Sequence, residues 1–232
     1  MNSYVIFKGV NSNLIDGLVI SELPPITKAR LRVLETAIDG VDGSIIEELG
    51  YEAYDKELKI GLKPNANIDE VIEYFNGEGD IVFSNEDDKF YKVKVIEQID
   101  YQKLLRFKTA SIIFRTQPFK YLYGETYQKF ENPTGTLVAI NEGTVNSKPL
   151  IKIVGSGTIE FKLEGITIFS YTFPTGETEV IIDSEKQDAY LGNVLKNRNM
   201  IGDFPIFKKG KNSITLSGAV TELTVTANSR WL

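Results

Sequence analysis

Ile201-Gly202-Asp203-Phe204-Pro205-Ile206-Phe207-Lys208-Lys209-Gly210-Lys211-Asn212-Ser213-Ile214-Thr215-Leu216 is the stretch on which the reading of this chain turns. Pro205 has no N–H to give a ladder, and Gly202 and Gly210 admit backbone turns closed to other residues. The segment therefore reads as an irregular loop laid across a sheet, re-entering it near Ser213. Beyond it, Ser213-Ile214-Thr215-Leu216 and Glu222-Leu223-Thr224-Val225-Thr226 alternate apolar and polar residues, as two half-buried strands before Trp231. None of these residue types is arranged for chemistry. The stretch specifies architecture, and function is to be sought in assembly.

The same period of two recurs upstream in Phe161-Lys162-Leu163, Ile166-Thr167-Ile168 and Glu179-Val180-Ile181-Ile182. It recurs in the front half over Arg32 to Ile38, Glu57 to Leu62, Asp80 to Ser84, Phe90 to Ile96 and Thr109 to Arg115. Asn85-Glu86-Asp87-Asp88 reads as a polar hairpin connection, and Gly40-Val41-Asp42-Gly43 and Gly155-Ser156-Gly157 as hairpin turns, since neither glycine cluster opens a helix after a strand. One segment departs from the pattern: Ile68, Val71, Ile72 and Phe75 are spaced three and four apart, which predicts a short helix packed on a sheet. Asn67 suits its N-cap, Asp69 and Glu70 its first turn, and Gly77 its end. Its polar face is acidic, the wrong sign for a membrane-surface helix. The fold class is mainly β. Turn chemistry between Tyr121 and Thr136 predicts two domains, 1–130 and 131–232, the second with the strand spacing of a β-sandwich.

The 232 residues are 42% hydrophobic and 25% charged, ordinary globular usage, enough for two cores. With no cysteine and no histidine, disulfides, thiolate nucleophiles and the commonest general base and metal ligands are excluded. Only oxygen chemistry through carboxylates or a hard cation is left. A net charge of −6 argues against a nucleic-acid grip. No run approaches the roughly 18 apolar residues of a membrane span, and Met1 to Gly9 lacks a secretion signal, so synthesis in a cytoplasm without an anchor is expected.

Candidate sites each meet a simpler reading. Asp183, with Asp188 or Asp203, has the chemistry of a hard-cation ligand, but its place after Val180-Ile181-Ile182 predicts a turn cap. Glu47 and Glu48 resemble a glycosidase pair, yet neighbours in a strand point to opposite faces and cannot flank one bond. Trp231, Tyr171 and Tyr190 offer faces for sugar stacking, against core or interface packing. Lys28, Arg30, Arg32 and Lys56 form the densest basic set of the front half and read as a salt-bridged rim. No catalytic, cofactor or metal residues are expected.

Taken together, the chain resembles the distal tail protein (Dit) family of long-tailed, non-contractile bacteriophages, a siphovirus-type tail component. The resemblance is carried by Phe7-Lys8-Gly9, Ile38 to Gly43, Leu49-Gly50-Tyr51, Phe75 to Asp80 and Pro118-Phe119-Lys120-Tyr121 in front. Behind, it is carried by Asn132 to Thr136, Pro149 to Ile153, Gly155-Ser156-Gly157, Ile182-Asp183 and the motif residues Gly202, Asp203, Phe204, Pro205, Gly210 and Asn212. The order and spacing of these pieces span nearly the whole length. The acidic Glu47-Glu48 and Glu52 depart from the family pattern. The resemblance implies an N-terminal split-barrel-like β domain with one helix, then a galectin-like or carbohydrate-module-like sandwich. It further implies a structural virion protein of a phage or prophage, forming a hexameric ring at the tail tip. Its expected partners are the tail tube protein, the tail-associated hub or lysin protein and receptor-binding proteins, with DNA passing through and no membrane contact. The rival readings are a module binding cell-wall saccharide and a carboxylate hydrolase.

Overall fold

A computed structural model describes residues 3–40, 42–97 and 108–232; Val41, in the expected Gly40–Gly43 turn, and Met1 and Asn2 lie outside them. The chain is mainly β and divides by its contacts between Tyr123 and Gly124.

The first unit holds β1 (Val5–Phe7), β2 (Val10–Asn11), β3 (Leu18–Glu22), β4 (Leu31–Ala37), β5 (Ser44–Tyr51), β6 (Tyr54–Leu62), α1 (Ile68–Tyr74), β7 (Glu78–Phe83), β8 (Glu86–Val95) and β9 (Thr109–Leu122). The seven strands other than β4 and β5 build one antiparallel, strongly curled half-barrel sheet in the order β2-β1-β7-β8-β9-β6-β3. Alternation explains it: Leu58, Ile60, Ile112 and Phe114 point inward and are buried, while Lys59, Ser111 and Arg115 point out. The helix forms where its spacing predicts. Asn67 accepts from the Asp69 N–H at 3.1 Å, and Gly77, at φ +80°, follows its end. Val71 and Phe75 join Phe7, Phe83 and Phe114 in the core. Tyr74, off the expected apolar stripe, is buried too, because its hydroxyl accepts the Phe7 N–H and is shared between the carbonyls of Val5 and Val10, tying the helix to β1 and β2.

Two expectations for this unit meet different outcomes. The hairpin between β7 and β8 turns on Ser84 and Asn85 alone, and Glu86, Asp87 and Asp88 are strand residues. Glu86 is drawn into the ladder by Lys120, whose ammonium lies 2.6 Å from its carboxylate. Of the expected Gly40–Gly43 turn, Gly40 and Gly43 have φ +80° and +90°, and Ala37 faces Ser44 in the ladder that leads to it.

The second unit holds β10 (Gln128–Glu131), β11 (Thr136–Asn141), β12 (Leu150–Leu163), β13 (Ile166–Thr172), β14 (Glu179–Asp183), β15 (Asp188–Leu191), β16 (Val194–Leu195), β17 (Met200–Gly202) and β18 (Gly210–Thr226). β10, before the expected division at 130/131, pairs with β18 and belongs here. The two alternating strands expected after Asn212 are one, β18, and Gly155-Ser156-Gly157 is no hairpin turn but the middle of β12. These long strands pair with each other along both halves, with register shifts at Val154/Gly155 and Ser156/Glu160. The first half of β12 also pairs with β14, and the second with β13. Both strands thus pass from one layer of the sandwich to the other at a bulge, a known way of making a sheet corner. Glycine is required there: a Cβ on Gly155 would lie 2.4 Å from the Ala219 carbonyl oxygen, and one on Gly218, at φ +97°, 2.5 Å from that of Thr158. The two layers share one core, in which Phe161 stacks on Phe169 at 5.0 Å beside Ile153, Val180, Ile214 and Val225.

Gly155→Ala is expected to destabilise the second unit by at least about 2 kcal/mol, since backbone must move to admit the methyl group. Urea unfolding followed by circular dichroism reads this, and an unchanged midpoint would refute the close crossing of β12 and β18.

Candidate assembly surface

The motif residues of the C-terminal stretch are given structural tasks. Gly202 pairs with Phe169 at φ +114°, where a Cβ would sit 2.3 Å from the Ile168 oxygen, and the Asp203 N–H donates to that same oxygen at 3.0 Å. Phe204 packs on the second core and Pro205 is buried. Gly210, at φ +86°, starts β18. Asn212 is buried, accepts from the Lys208 N–H and donates to the carbonyls of Lys208 and Gly210, each at 2.9 Å. Asn141, which the motifs do not include, closes the loop from the other side by donating to the Lys208 carbonyl at 3.3 Å. The signal for it was a lone polar residue at the inward phase of an alternating strand.

The other candidates are dispersed. Asp183 caps its turn as expected, its Oδ1 accepting from the N–H groups of Glu185 and Lys186 at 3.0 Å. It faces Asp188 across the β14–β15 ladder. Among the described residues no group of three or more acidic side chains is placed to hold a metal ion. Glu47 and Glu48 face Leu34 and Val33 on opposite faces of β5. Tyr171 is fully buried and offers no face to a sugar, whereas Tyr190 and Trp231 are partly exposed. A groove of about 390 Å³ over β7–β9 is lined by Glu78, Asp80, Lys92, Lys94, Ile96 and Arg115. Two of its cations are held, Lys94 by Glu78 and Arg115 by Asp55, and burial pushes the Asp80 carboxyl up.

Among the described residues, none of the basic set Lys28, Arg30, Arg32 and Lys56 forms an ion pair of the expected rim. Arg32 donates to the Leu49 carbonyl at 3.0 Å, and Lys56 is buried, donating to the Pro25 carbonyl at 2.8 Å and lying 4.7 Å from the Tyr91 ring centre. Around it, Glu86 takes Lys120 on one oxygen and the Tyr91 hydroxyl on the other. Burial lowers Lys56 from 10.5 to about 8 against the opposing pull of Glu86, and burial raises Tyr54 to about 12. Nearby, Asn85 donates to the Pro24 carbonyl at 3.0 Å and the Glu52 N–H to the Arg30 carbonyl at 2.8 Å. The last of these bonds joins the two legs at the root of the β4–β5 hairpin, and Tyr51 at the end of β5 packs edge-on to Phe119 of β9 at 5.6 Å.

That hairpin is a two-stranded ribbon joined, among the described residues, to no other strand. The sequence predicts a half-buried strand over Arg32 to Ile38. Instead nearly every residue is exposed, including Ile45 at 59%, Ile46 at 61% and Leu34 at 51%. The register puts Val33 and Ile46 on one face and Leu34 and Ile45 on the other, each directly opposite a polar or acidic residue. Leu49 is the extra residue at the bulge between Arg32 and Val33. Adjacent apolar pairs, Val33-Leu34 and Ile45-Ile46, were the signal in the sequence: they break the alternation and load both faces.

Over its full length the chain superimposes on phage SPP1 Dit, described as a paradigm of the hub adsorption apparatus in phages infecting Gram-positive hosts. The match covers 100% of both chains with a TM-score of 0.73 at 14% identity. The chain has the Dit fold. The phage p2 baseplate in its activated conformation, with Sr or with Ca, aligns over 97% of both chains at 8% and 10% identity, with TM-scores of 0.49 and 0.47. No protein-family model matches the sequence, and no curated protein matches it. No helix among the described residues is long and apolar enough to cross a membrane.

Two outcomes are expected. Asn212→Ala strips three hydrogen bonds from a buried turn and should cost about 2 kcal/mol of second-unit stability in chemical denaturation. Lys56, whose folded pKa of about 8 lies below its ordinary 10.5, binds fewer protons folded than unfolded between those values. Its contribution to stability therefore rises with pH across that window. Melting curves from pH 8 to 10 should show the parent chain gaining on Lys56→Met; parallel curves would contradict the burial of this charge.

Proposed function

We propose that the chain is a structural protein of a phage tail tip, working by assembly and shape without bond making. In this reading it forms a hexameric ring with copies of itself, joins the tail tube to the tail-associated hub, and supports the adsorption apparatus while DNA passes through. The observation that carries the proposal is the β4–β5 hairpin. A lone two-stranded ribbon is marginally stable in water, and one that exposes Val33, Leu34, Ile45, Ile46 and Leu49 on both faces calls for another molecule to cover it. The whole-length likeness to SPP1 Dit, itself described as part of a hub adsorption apparatus, supplies the setting. The net charge of −6 fits a lumen that repels phosphate and lets DNA slide.

Light scattering of the purified protein over a range of concentrations, with negative-stain images, is expected to show a sixfold torus of 26.0 kDa chains. A species that remains a single chain throughout would remove self-assembly from the proposal.

A further inference from the structure

Leu23-Pro24-Pro25-Ile26-Thr27-Lys28-Ala29-Arg30 runs from β3 to β4 and belongs to neither. Its two successive prolines have no N–H to give a ladder and keep the residues before them extended, so the stretch cannot prolong the sheet. Among the described residues, the bond that the Arg30 carbonyl accepts from Glu52 is the only one it makes to other backbone. Side chains of the sheet hold the rest. Asn85 donates to the Pro24 carbonyl at 3.0 Å, Lys56 of β6 donates to the Pro25 carbonyl at 2.8 Å, and the Tyr54 hydroxyl bonds to the Thr27 side chain. Leu23 packs on the first core, Pro24 and Ala29 are buried, and Pro25, Ile26, Thr27 and Lys28 stay exposed. This is a strap fixed at Leu23 and Arg30 and fastened between them by three polar side chains.

Beneath it lies a cation. Lys56 is 3% exposed, with its ammonium 4.7 Å from the ring centre of Tyr91, 5.6 Å from that of Tyr54 and 5.8 Å from that of Phe83. The carboxylate that acts on it, Glu86 of β8, is already taken by Lys120 of β9 on one oxygen and by the Tyr91 hydroxyl on the other. Lys120 itself repels the Lys56 charge, β7 contributes the neutral Phe83, and the strap's own cations, Lys28 and Arg30, are exposed. One carbonyl and three ring faces replace the water around a full charge incompletely. Hydration of Lys56 therefore favours lifting the strap, and the three polar bonds oppose it.

We propose that Pro24 to Ala29 open as a unit from a half-barrel that stays folded, drawn by hydration of Lys56 and restrained by its bonds to Lys56, Asn85 and Tyr54. Opening uncovers the rings of Tyr54, Phe83 and Tyr91, while Leu23 and Arg30 hold the two ends. The device belongs to the single chain and goes beyond the assembly reading: a chain that never assembles leaves it standing. Closed, Lys56 titrates at about 8, and open it returns toward its ordinary 10.5, so the open form binds more protons between those values. Opening is thus independent of pH below that window and becomes rarer as pH rises through it. Tyr54, pushed up to about 12 by burial, and Tyr91, pushed up by burial and by Glu86, keep their protons meanwhile.

The chain has no cysteine, so Ala29→Cys places a single thiol under the strap, and Val93→Cys, in a separate sample, places one in the core of the sheet. Alkylation by iodoacetamide is followed from about pH 7 to about pH 10, each rate divided by that of the urea-unfolded chain at the same pH. The Ala29→Cys thiol is expected to react about a hundredfold faster than the Val93→Cys thiol, with no response to low urea. It should also slow by about tenfold or more between about pH 8 and about pH 10. Added to Ala29→Cys, Lys56→Arg keeps a cation that does not titrate in this range and Lys56→Met removes it, so the slowing should vanish in both. Asn85→Ala should raise the rate several-fold at every pH and leave the profile intact. Circular dichroism establishes that each variant folds, and Lys56→Arg alone decides the point if Lys56→Met does not. Equal rates for the two thiols, an Ala29→Cys thiol as reactive as in the unfolded chain, or a slowing that survives Lys56→Arg overturns the proposal.

Discussion

Everything in the second unit depends on two backbones passing too close for a side chain. At Gly155 and Gly218, β12 and β18 change layers together, and the carbonyls of Ala219 and Thr158 fill the space where a Cβ would be. Because the same two strands run through both layers, the layers are joined covalently along two lines and close over one core of Phe161, Phe169 and their neighbours. A chain without cysteine has no disulfide to fasten such layers, and here continuous strands do that work. The motif loop of Gly202 to Asn212 is then an edge treatment: buried asparagines satisfy its backbone so that an irregular path can lie against the sandwich without orphaned polar groups.

The first unit solves a different problem. Its half-barrel is filled by α1 and a cluster of aromatic rings, with Phe114 edge-on to Phe7 and Phe83. That core owes nothing to the hairpin, whose apolar residues stay in water. The unit therefore folds around one set of hydrophobic residues and displays another, and the displayed set has no role in the single chain. Structure and proposed function meet at this surplus: surface that costs solubility persists where it is covered in use.

Much of this was legible in the sequence, and the failures have physical causes. The helix was readable to within a residue or two because capping and 3.6-residue spacing agree, although Tyr74 escaped notice since a hydroxyl at that position looks like surface. The cap at Asp183 followed from local hydrogen-bonding chemistry alone. Gly155-Ser156-Gly157 was misread because glycines permit both a reversal and a bend, and only the partner strand, some sixty residues away, decides between them. Glu86 looked like loop because its partner Lys120 is distant in sequence. Lys56 looked like surface for a similar reason: nothing local announces that Tyr91 and Pro25 will close around its ammonium. The Dit fold was legible through the order of weak motifs spread over both units, where no single motif sufficed.

Lys56 and Asn85 hold Pro25 and Pro24 on the sheet, the Glu52 N–H to Arg30 carbonyl bond joins the two legs of the hairpin, and Tyr51 at its end packs edge-on to Phe119 of β9 at 5.6 Å. An arm clamped at its base points in a direction set when the chain folds. Such an arm searches little conformational space, so less entropy would be lost on covering it, and in the proposed ring every copy would present it at the same angle, letting a growing arc return to its starting point instead of spiralling past it.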